Sequence, residues 1–154
     1  MAFEMYRVFC ATPVDLEDER QAFYQVVGQL NEQVAMPRGI LLVPVSLLPH
    51  MTDKRAFQLA VDQNVRDCKF YLQVLQNSWG PPERNFKRDY NTASQYAARS
   101  ILFKALNGGE IEPKISDLKR ESGGAEFTDP EDFRRQVHSL LSNWLASLQT
   151  SAAS

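Results

Sequence analysis

The chain has 154 residues, of which 44% are hydrophobic and 23% charged, which is enough for one packed core but not comfortably for two. Its 17 Lys and Arg against 19 Asp and Glu leave a formal net charge of -2, without the basic excess that marks nucleic-acid or anionic-membrane partners. No run approaches the roughly 18 apolar residues of a membrane span, and the N-terminus does not resemble a signal peptide, so we predict a cytoplasmic protein.

The hydrophobic pattern changes three times from a strand period to a helix period, which predicts an α/β fold with a parallel sheet and crossover helices. The first strand is predicted at Tyr6–Ala11. Apolar residues at helical spacing then predict a helix that runs from Leu16 to Val34 and is ended by Pro37 and Gly39.

The apolar run Ile40–Leu48 predicts a second strand. Pro44 within it has no N–H to donate to a neighbouring strand, which predicts a position at the edge of the sheet. Thr52 or Asp53 is the expected N-cap of a second helix, and Lys69–Leu75 is predicted as the third strand. The apolar stripe of this second helix is Phe57, Ala60, Val61, Val65 and Cys68.

Residues 77–91 combine Pro-Pro, Gly and several charges without a hydrophobic period, which predicts a long loop of the kind that is often functional. A third helix is predicted at Thr92–Leu106 and a short fourth strand near Ile115–Leu118. A Thr-Asp-Pro-Glu start predicts a last helix. Its apolar positions are Phe133, Val137, Leu140, Leu141, Trp144, Leu145 and Leu148.

These elements predict one domain over residues 1–148 and a flexible tail over 149–154. The tail could equally be a linker, in which case the chain is one domain of a longer multidomain protein.

The turn after the first strand has the composition of a helix start. Thr12 is the expected N-cap, Pro13 the first helical residue, and Asp15 the residue that bonds back to the cap. A catalytic role for Asp15 stays open, because in parallel sheets ligands bind beyond the carboxyl ends of the strands.

Trp79 follows the third strand at the same edge. Its ring could stack on a base or nicotinamide, or could equally pack as a hydrophobic plug beneath the loop. The first strand-to-helix turn has no glycine, which argues against a phosphate-binding glycine loop and a dinucleotide fingerprint.

The cysteines and histidines indicate no metal site and no nucleophile. Cys10 and Cys68 lie in apolar stretches and are expected to be buried free thiols. His50 and His138 have no Ser or Cys partner in a recognisable motif.

Several stretches together resemble a bacterial TIR-like domain family of unknown function, which often lies N-terminal to signalling ATPases. "VFCATPVDLEDER" is similar to the family's opening "VF-x-SSP-x-D-x-x-x-ER". "AFQLAVDQNVRDCKFYLQVLQNSWGPP" resembles its second helix, its Cys-Asp-hydrophobic strand and its Trp-Gly turn. "YNTASQYAAR" resembles its third helix start, "T-x-x-E-x-x-x-A", and "FTDPEDFRRQV" its terminal helix. The resemblance covers most of the chain.

The resemblance implies a flavodoxin-like, three-layer α/β fold with a central parallel sheet of four to five strands in the order 2-1-3-4. It also implies either assembly with protein partners or cleavage of NAD by a glutamate at the start of the third helix. By motif, Gln95 occupies the position of that glutamate. An amide supplies hydrogen bonds but no charge to a ribose that is becoming cationic, so this difference favours an interaction module without catalysis.

Two functions are therefore predicted as alternatives. The first is a TIR-like signalling or defence module that binds a protein partner or itself, without a cofactor. Leu47, Leu48 and Met51 in the loop after the second strand are its candidate interaction residues, although they could equally fold back onto the core. The second is an NAD-cleaving or nucleotide-binding enzyme whose acid has moved, with Asp89 as a candidate. The candidate ligand cleft consists of Thr12, Pro13, Asp15, Trp79, Asp89 and Gln95.

Overall fold

The computed structural model describes residues 2–13, 16–46, 53–76, 79, 86–105 and 111–148. In chain order the elements are β1 (Glu4–Ala11), α1 (Glu17–Leu30), β2 (Ile40–Val45), α2 (Lys54–Asp67), β3 (Cys68–Leu75), α3 (Phe86–Ala93), β4 (Ala98–Lys104), α4 (Pro113–Glu121), β5 (Glu126–Phe127) and α5 (Pro130–Ser147). A π-helical turn over Asn31–Ala35 and a 3-10 turn over Met36–Arg38 join α1 to β2.

The five strands form one sheet in the order β2-β1-β3-β4-β5, and every neighbouring pair is parallel. The predicted α/β class and the strand order 2-1-3-4 are confirmed. The prediction that the strand containing Pro44 lies at the edge of the sheet is also confirmed, because β2 pairs with β1 alone.

Helices cover both faces of the sheet. Helices α1 and α5 pack on one face, around a core that includes Val8, Leu72 and Leu102. Helices α2, α3 and α4 pack on the other, against Phe9 and Tyr71 among others. Among the described helices, none combines the length and the apolar character needed to cross a bilayer.

Two predicted helix starts are confirmed with their caps. Asp53 is the N-cap of α2, where its carboxylate accepts from the backbone N–H groups of Arg55 and Ala56. Asp129 is the N-cap of α5, and Pro130 follows at the first helical position, where no N–H is needed.

The predicted N-cap of α1 is wrong. Helix α1 begins at Glu17 after an N-cap residue, Leu16, that makes no side-chain capping bond. Thr12 is buried beyond the end of β1, and the backbone N–H of Leu16 donates to Pro13 O at 3.1 Å. Residues such as Thr, Pro and Asp favour tight turns as well as helix caps, so they did not by themselves place the start of α1. Asp15 lies outside the described residues.

The predictions between the third strand and the last helix are also wrong. Helix α3 occupies the end of the predicted loop, and the predicted third helix, Thr92–Leu106, contains the strand β4. The buried run Ile101–Phe103 is apolar because β4 is covered on both faces, and so short a run does not distinguish a strand from a helix by periodicity. The predicted strand Ile115–Leu118 lies in α4, where only Ile115 is fully buried. Cys68 begins β3 rather than ending α2.

Side chains close the outer edge of β2. The amide of Asn31 donates to Leu42 O at 3.0 Å and accepts from Leu42 N at 2.8 Å. At the next outward-facing position, Pro44 has no N–H to offer to another strand. At the one after that, the N–H of Ser46 donates to the hydroxyl of Tyr24 at 2.9 Å. Since alternate residues of a strand point their backbone groups to the same side, these positions are the outward-facing ones.

The other edge of the sheet is closed in the same way by α5. The side chain of Gln136 donates to Glu126 O in β5, and the N–H of Thr128 donates to the carboxylate of Asp132 at 2.9 Å. An added strand would have to displace these side chains at either edge.

Candidate functional site

The strand order reverses between β1 and β3, because the connection after β1 leads to one side of the sheet and the connection after β3 leads to the other. Ligands of open parallel sheets bind at this switch point, outside the carboxyl ends of the strands. We call this side the carboxyl edge and the opposite side the amino edge. At the carboxyl edge, Thr12 and Pro13 follow β1, Trp79 follows β3, and Lys104 ends β4.

A buried ion pair joins α1 to the end of β4. Glu19 is only 2% exposed, and its Oε1 lies 2.8 Å from the ammonium of Lys104, whose side chain is partly exposed. Apart from this ammonium, the oxygen has no hydrogen-bond partner among the described residues. The carboxylate at this part of the carboxyl edge is therefore already paired.

Neither Glu19 nor Lys104 was predicted as a site residue. Glu19 precedes Phe23 and Val26 by four and seven residues, so it belongs to the buried stripe of α1. A carboxylate on such a stripe requires a cation. The spacing of Glu19 from Phe23 and Val26 could therefore have identified it as a buried carboxylate. Its partner could not be identified in this way, because the position of Lys104 depends on where β4 ends.

A second buried polar group ties β1 to β3. Gln73 is fully buried, accepts a hydrogen bond from the Tyr71 hydroxyl at 2.9 Å and donates to Ala11 O at 3.3 Å. The ring of Tyr71 stacks on Phe9 of β1 at 5.4 Å between ring centroids. The amide is therefore engaged within the protein, where it holds the end of β1 against β3. A glutamine inside the apolar run of β3 was the signal for it in the sequence.

Trp79 packs against α3. Its ring lies 5.8 Å from that of Tyr90, which in turn lies 6.4 Å from Tyr71. Trp79 is half-buried against the core on this face of the sheet, and it also lines a groove of about 220 Å³ between α3 and α4. The groove is lined by Trp79, Lys87, Tyr90, Asn91, Lys114, Asp117, Leu118 and Glu121.

Asp89 lies in the first turn of α3 and is only 2% exposed. It lines a groove of about 200 Å³ between α2 and α3. Arg88 Nη2 lies 3.0 Å from an oxygen of Asp62 and 3.8 Å from an oxygen of Asp89. Asp89 is thus part of a charged contact between two helices.

Gln95 is not near the carboxyl edge. It lies exposed in the turn between α3 and β4, where its backbone N–H donates to Thr92 O at 3.0 Å. This turn precedes the first residue of β4, Ala98, so it lies at the amino edge. The expectation that Gln95 begins the third helix beside the ligand cleft is wrong, because α3 has already ended at Ala93. The structure therefore separates Gln95 from Thr12 and Pro13.

The predicted interaction loop, with Leu47, Leu48 and Met51, lies outside the described residues, as do Asp15, His50 and the tail over 149–154. His138 lies on α5, where its Nδ1 is 3.4 Å from the hydroxyl of Ser142. Among the described residues, no three His, Cys, Asp or Glu side chains gather as a metal site requires.

Both cysteines are buried and free, as expected. Burial raises the pKa of the Cys68 thiol to about 11 and raises that of Cys10 further. Because the thiolate is the nucleophilic form, neither cysteine is an activated nucleophile at neutral pH.

The described residues between β1 and α1 are poorly suited to a phosphate group. Pro13 has no N–H, and the N–H of Leu16 is already bonded to Pro13 O. In the first turn of α1, Glu17 and Glu19 are each paired with a basic side chain. The exposed Asp18, which has no ion pair among the described residues, opposes an anion at the helix end that would otherwise attract one.

The fold is similar to that of several solved structures. A flavodoxin-like domain from a Synechococcus species superposes with a TM-score of 0.52 at 15% identity, over 92% of this chain and 99% of that one. A diflavin flavoprotein from a Nostoc species gives 0.47 at 14% identity, over 95% and 96% of the two chains. A general stress protein from Treponema denticola, solved with FMN, gives 0.40 at 13% identity, over 95% and 99%.

The similarity to the Synechococcus domain shows a flavodoxin-like fold. The other two structures superpose too loosely to add to that conclusion. No protein-family model and no curated protein sequence matches the chain.

Proposed function

We propose that this chain is a TIR-like signalling or defence module that acts by binding a protein partner or itself, and that it has no catalytic activity. One observation carries the proposal: the position that the TIR-like resemblance assigns to the catalytic acid is Gln95, which lies at the amino edge, away from Thr12 and Pro13.

Three other described acids near the carboxyl edge each lie beside a basic side chain, which supports the same proposal. Glu19 is held by Lys104, and Glu17 lies 3.4 Å from the guanidinium of Arg20. Asp89 is buried between α2 and α3 beside Arg88. Cleavage of a nicotinamide–ribose bond needs a carboxylate aimed at the developing positive charge, and loss of such a group typically lowers a rate by about a hundredfold or more.

The proposal also does not include a flavin or nucleotide cofactor, although FMN binds at the β1/β3 switch point of flavodoxin itself. The acidic start of α1 and the absence of an N–H at Pro13 do not fit a bound phosphate.

Incubation of the purified protein with NAD tests the absence of catalysis, with nicotinamide release as the measurement. We expect no release from the wild type, and none from Gln95→Glu, because that substitution adds a carboxylate at the amino edge. Release by the wild type that is abolished in Asp89→Asn would overturn the proposal and make Asp89 the displaced acid.

Light scattering across a wide concentration range tests self-binding, and a pull-down tests partner binding. We expect the mass to rise with concentration or a partner to be recovered. A strict monomer at high concentration, together with no recovered partner, would contradict an interaction module.

A further inference from the structure

We propose that the groove between α3 and α4 is a docking site for an acidic segment of a partner protein, which inserts one apolar side chain between Trp79, Tyr90 and Leu118. The inference rests on the proposed function and adds the surface and the chemistry of the partner. Its basis is the groove's floor, the charges at its rim and the closed edges of the sheet.

The floor of the groove is apolar and firmly held. Tyr90 is 7% exposed and belongs to the core of the α2–α4 side, and the half-buried Trp79 and Leu118 pack against that core. The guanidinium of Arg99 lies over the ring of Tyr90, 3.9 Å from its centroid, and donates to Tyr90 O at 3.1 Å. A floor fixed in this way can receive a side chain without first becoming ordered.

The size of the groove fits one side chain better than a whole cofactor. Its volume of about 220 Å³ is below the roughly 300–1,000 Å³ of typical small-molecule sites. Protein interfaces, in contrast, concentrate their binding energy in a few anchors that fill pockets of this kind.

The charges at the rim define the partner. Lys87 lies in the first turn of α3 and Lys114 in the first turn of α4, so both lie at the end of the groove nearest the carboxyl edge. Neither forms an ion pair with another described residue, and both are exposed. Of the acids in the groove, Asp117 is already paired with Arg120, and Glu121 lies at the far end of α4. Carboxylates beside the inserted side chain would therefore lie over the two lysines.

Partner binding by strand addition is disfavoured. Asn31 and Tyr24 occupy the outer edge of β2, and Gln136 and Asp132 that of β5. A partner that binds the described surface must therefore use the helical layers or the loops, and the α3–α4 groove is a concave part of one such layer.

A displayed library of random 12-residue peptides provides the test. It is panned on the wild type and on Lys87→Glu/Lys114→Glu. Both lysines are exposed, so the folded state tolerates the change. The variant Lys54→Glu/Lys69→Glu is the matched control, because it makes the same change in net charge at two other exposed lysines.

We expect peptides enriched on the wild type to combine an apolar residue with Asp or Glu. Their affinity, measured by fluorescence polarisation, should fall about tenfold or more in the groove variant, since two attractions become repulsions, and stay within about twofold in the control. Trp79→Phe should weaken the same peptides while leaving the lysines intact.

Three results would overturn the inference. The first is that no peptide is enriched on the wild type above the Lys87→Glu/Lys114→Glu variant, and the second is that the enriched peptides bind both proteins with equal affinity. The third is that the wild type binds no peptide but binds a nucleotide, tested with AMP, and that the two lysine substitutions abolish this binding. Equal affinity would move the docking site elsewhere and leave the proposed function standing. The proposed function itself would be contradicted by NAD cleavage, or by a protein that stays monomeric and recovers no partner. Failure of the docking site and failure of the proposed function therefore give different results.

Discussion

The side-chain amide of Asn31 pairs with Leu42 as another strand would, donating to its carbonyl and accepting from its N–H. Asn31 is the first residue of the π-helical turn after α1, so the path of the chain at the end of that helix determines whether the edge of β2 is open or closed.

Asn31→Ala should lower the free energy of unfolding by about 1–2 kcal/mol, because two hydrogen bonds are lost and the backbone groups of Leu42 are left without a protein partner. It should also increase association through the opened edge. Urea unfolding measures the first effect and light scattering the second. Asn64→Ala is the matched variant, since the Asn64 side chain donates only to Ala60 O in α2, away from the sheet edge. Equal behaviour of the two variants in light scattering would contradict an edge-closing role.

Arg38 should stabilise the end of α5. Its guanidinium donates to Leu145 O at 2.7 Å, which also accepts from the N–H of the C-cap residue Leu148 at 3.1 Å, and to Leu148 O at 2.9 Å just beyond the helix. Arg38→Ala should cost about 1.5–3 kcal/mol, and Arg38→Lys less, because an ammonium can replace part of the fork. The rate of amide hydrogen exchange in the last turn of α5 should rise more in Arg38→Ala than in Arg38→Lys. Arg120→Ala, on the exposed surface of α4, should change the unfolding free energy by less than about 0.5 kcal/mol.

The Glu19–Lys104 pair should respond asymmetrically to substitution. Lys104→Met leaves a buried carboxylate without its cation and should cost about 3–5 kcal/mol. Glu19→Gln should cost less, because the Lys104 side chain is partly exposed and its ammonium can turn to water. The double variant should recover part of the loss of Lys104→Met. A double-mutant cycle from urea unfolding measures the coupling, and strictly additive losses would contradict the pairing.

The two buried thiols should make the folded state less stable in alkali. The folded pKa of Cys68 is raised to about 11, whereas an unfolded thiol ionises near 8.5. Between these values the unfolded chain loses the proton and the folded chain keeps it, so the unfolding free energy falls by up to about 1.4 kcal/mol per pH unit for this group. Cys10, whose pKa burial raises further, adds to the fall.

The pH dependence of urea unfolding between pH 8 and 10.5 checks this sign. In Cys10→Ala/Cys68→Ala, the unfolding free energy should fall less steeply with pH than in the wild type. Lysines and tyrosines also titrate in this range, but they contribute equally to both proteins. A slope unchanged by the two substitutions would show that the thiols ionise equally in both states.

The parallel sheet, the edge position of β2 and the long helices could be predicted from the sequence, because these elements carry their signals locally. The period of the apolar residues in α1, α2 and α5 and the caps Asp53 and Asp129 need no distant contact to be recognised. The strand order followed from the family resemblance, and the structure confirms it.

The region from α3 to α4 could not be predicted in the same way. The run containing Ile101 and Phe103 is apolar because helices lie on both faces of β4. Such a strand lacks the alternation of apolar and polar residues by which a half-exposed strand is recognised. Placing β4 correctly is what moves Gln95 from the ligand cleft to the amino edge.

The sequence by itself determined which residues would be apolar or capping, and hence the class of the fold. Only the tertiary structure decided which charges meet, because Glu19 and Lys104 are 85 positions apart and pair through the place where β4 ends. The same holds for Asn31 and Leu42, where the amide reaches the strand because a π-helical turn follows α1. Contacts of this kind depend on where elements end. Capping side chains mark the starts of α2 and α5, but no such side chain marks α1, and the end of β4 depends on packing between distant segments.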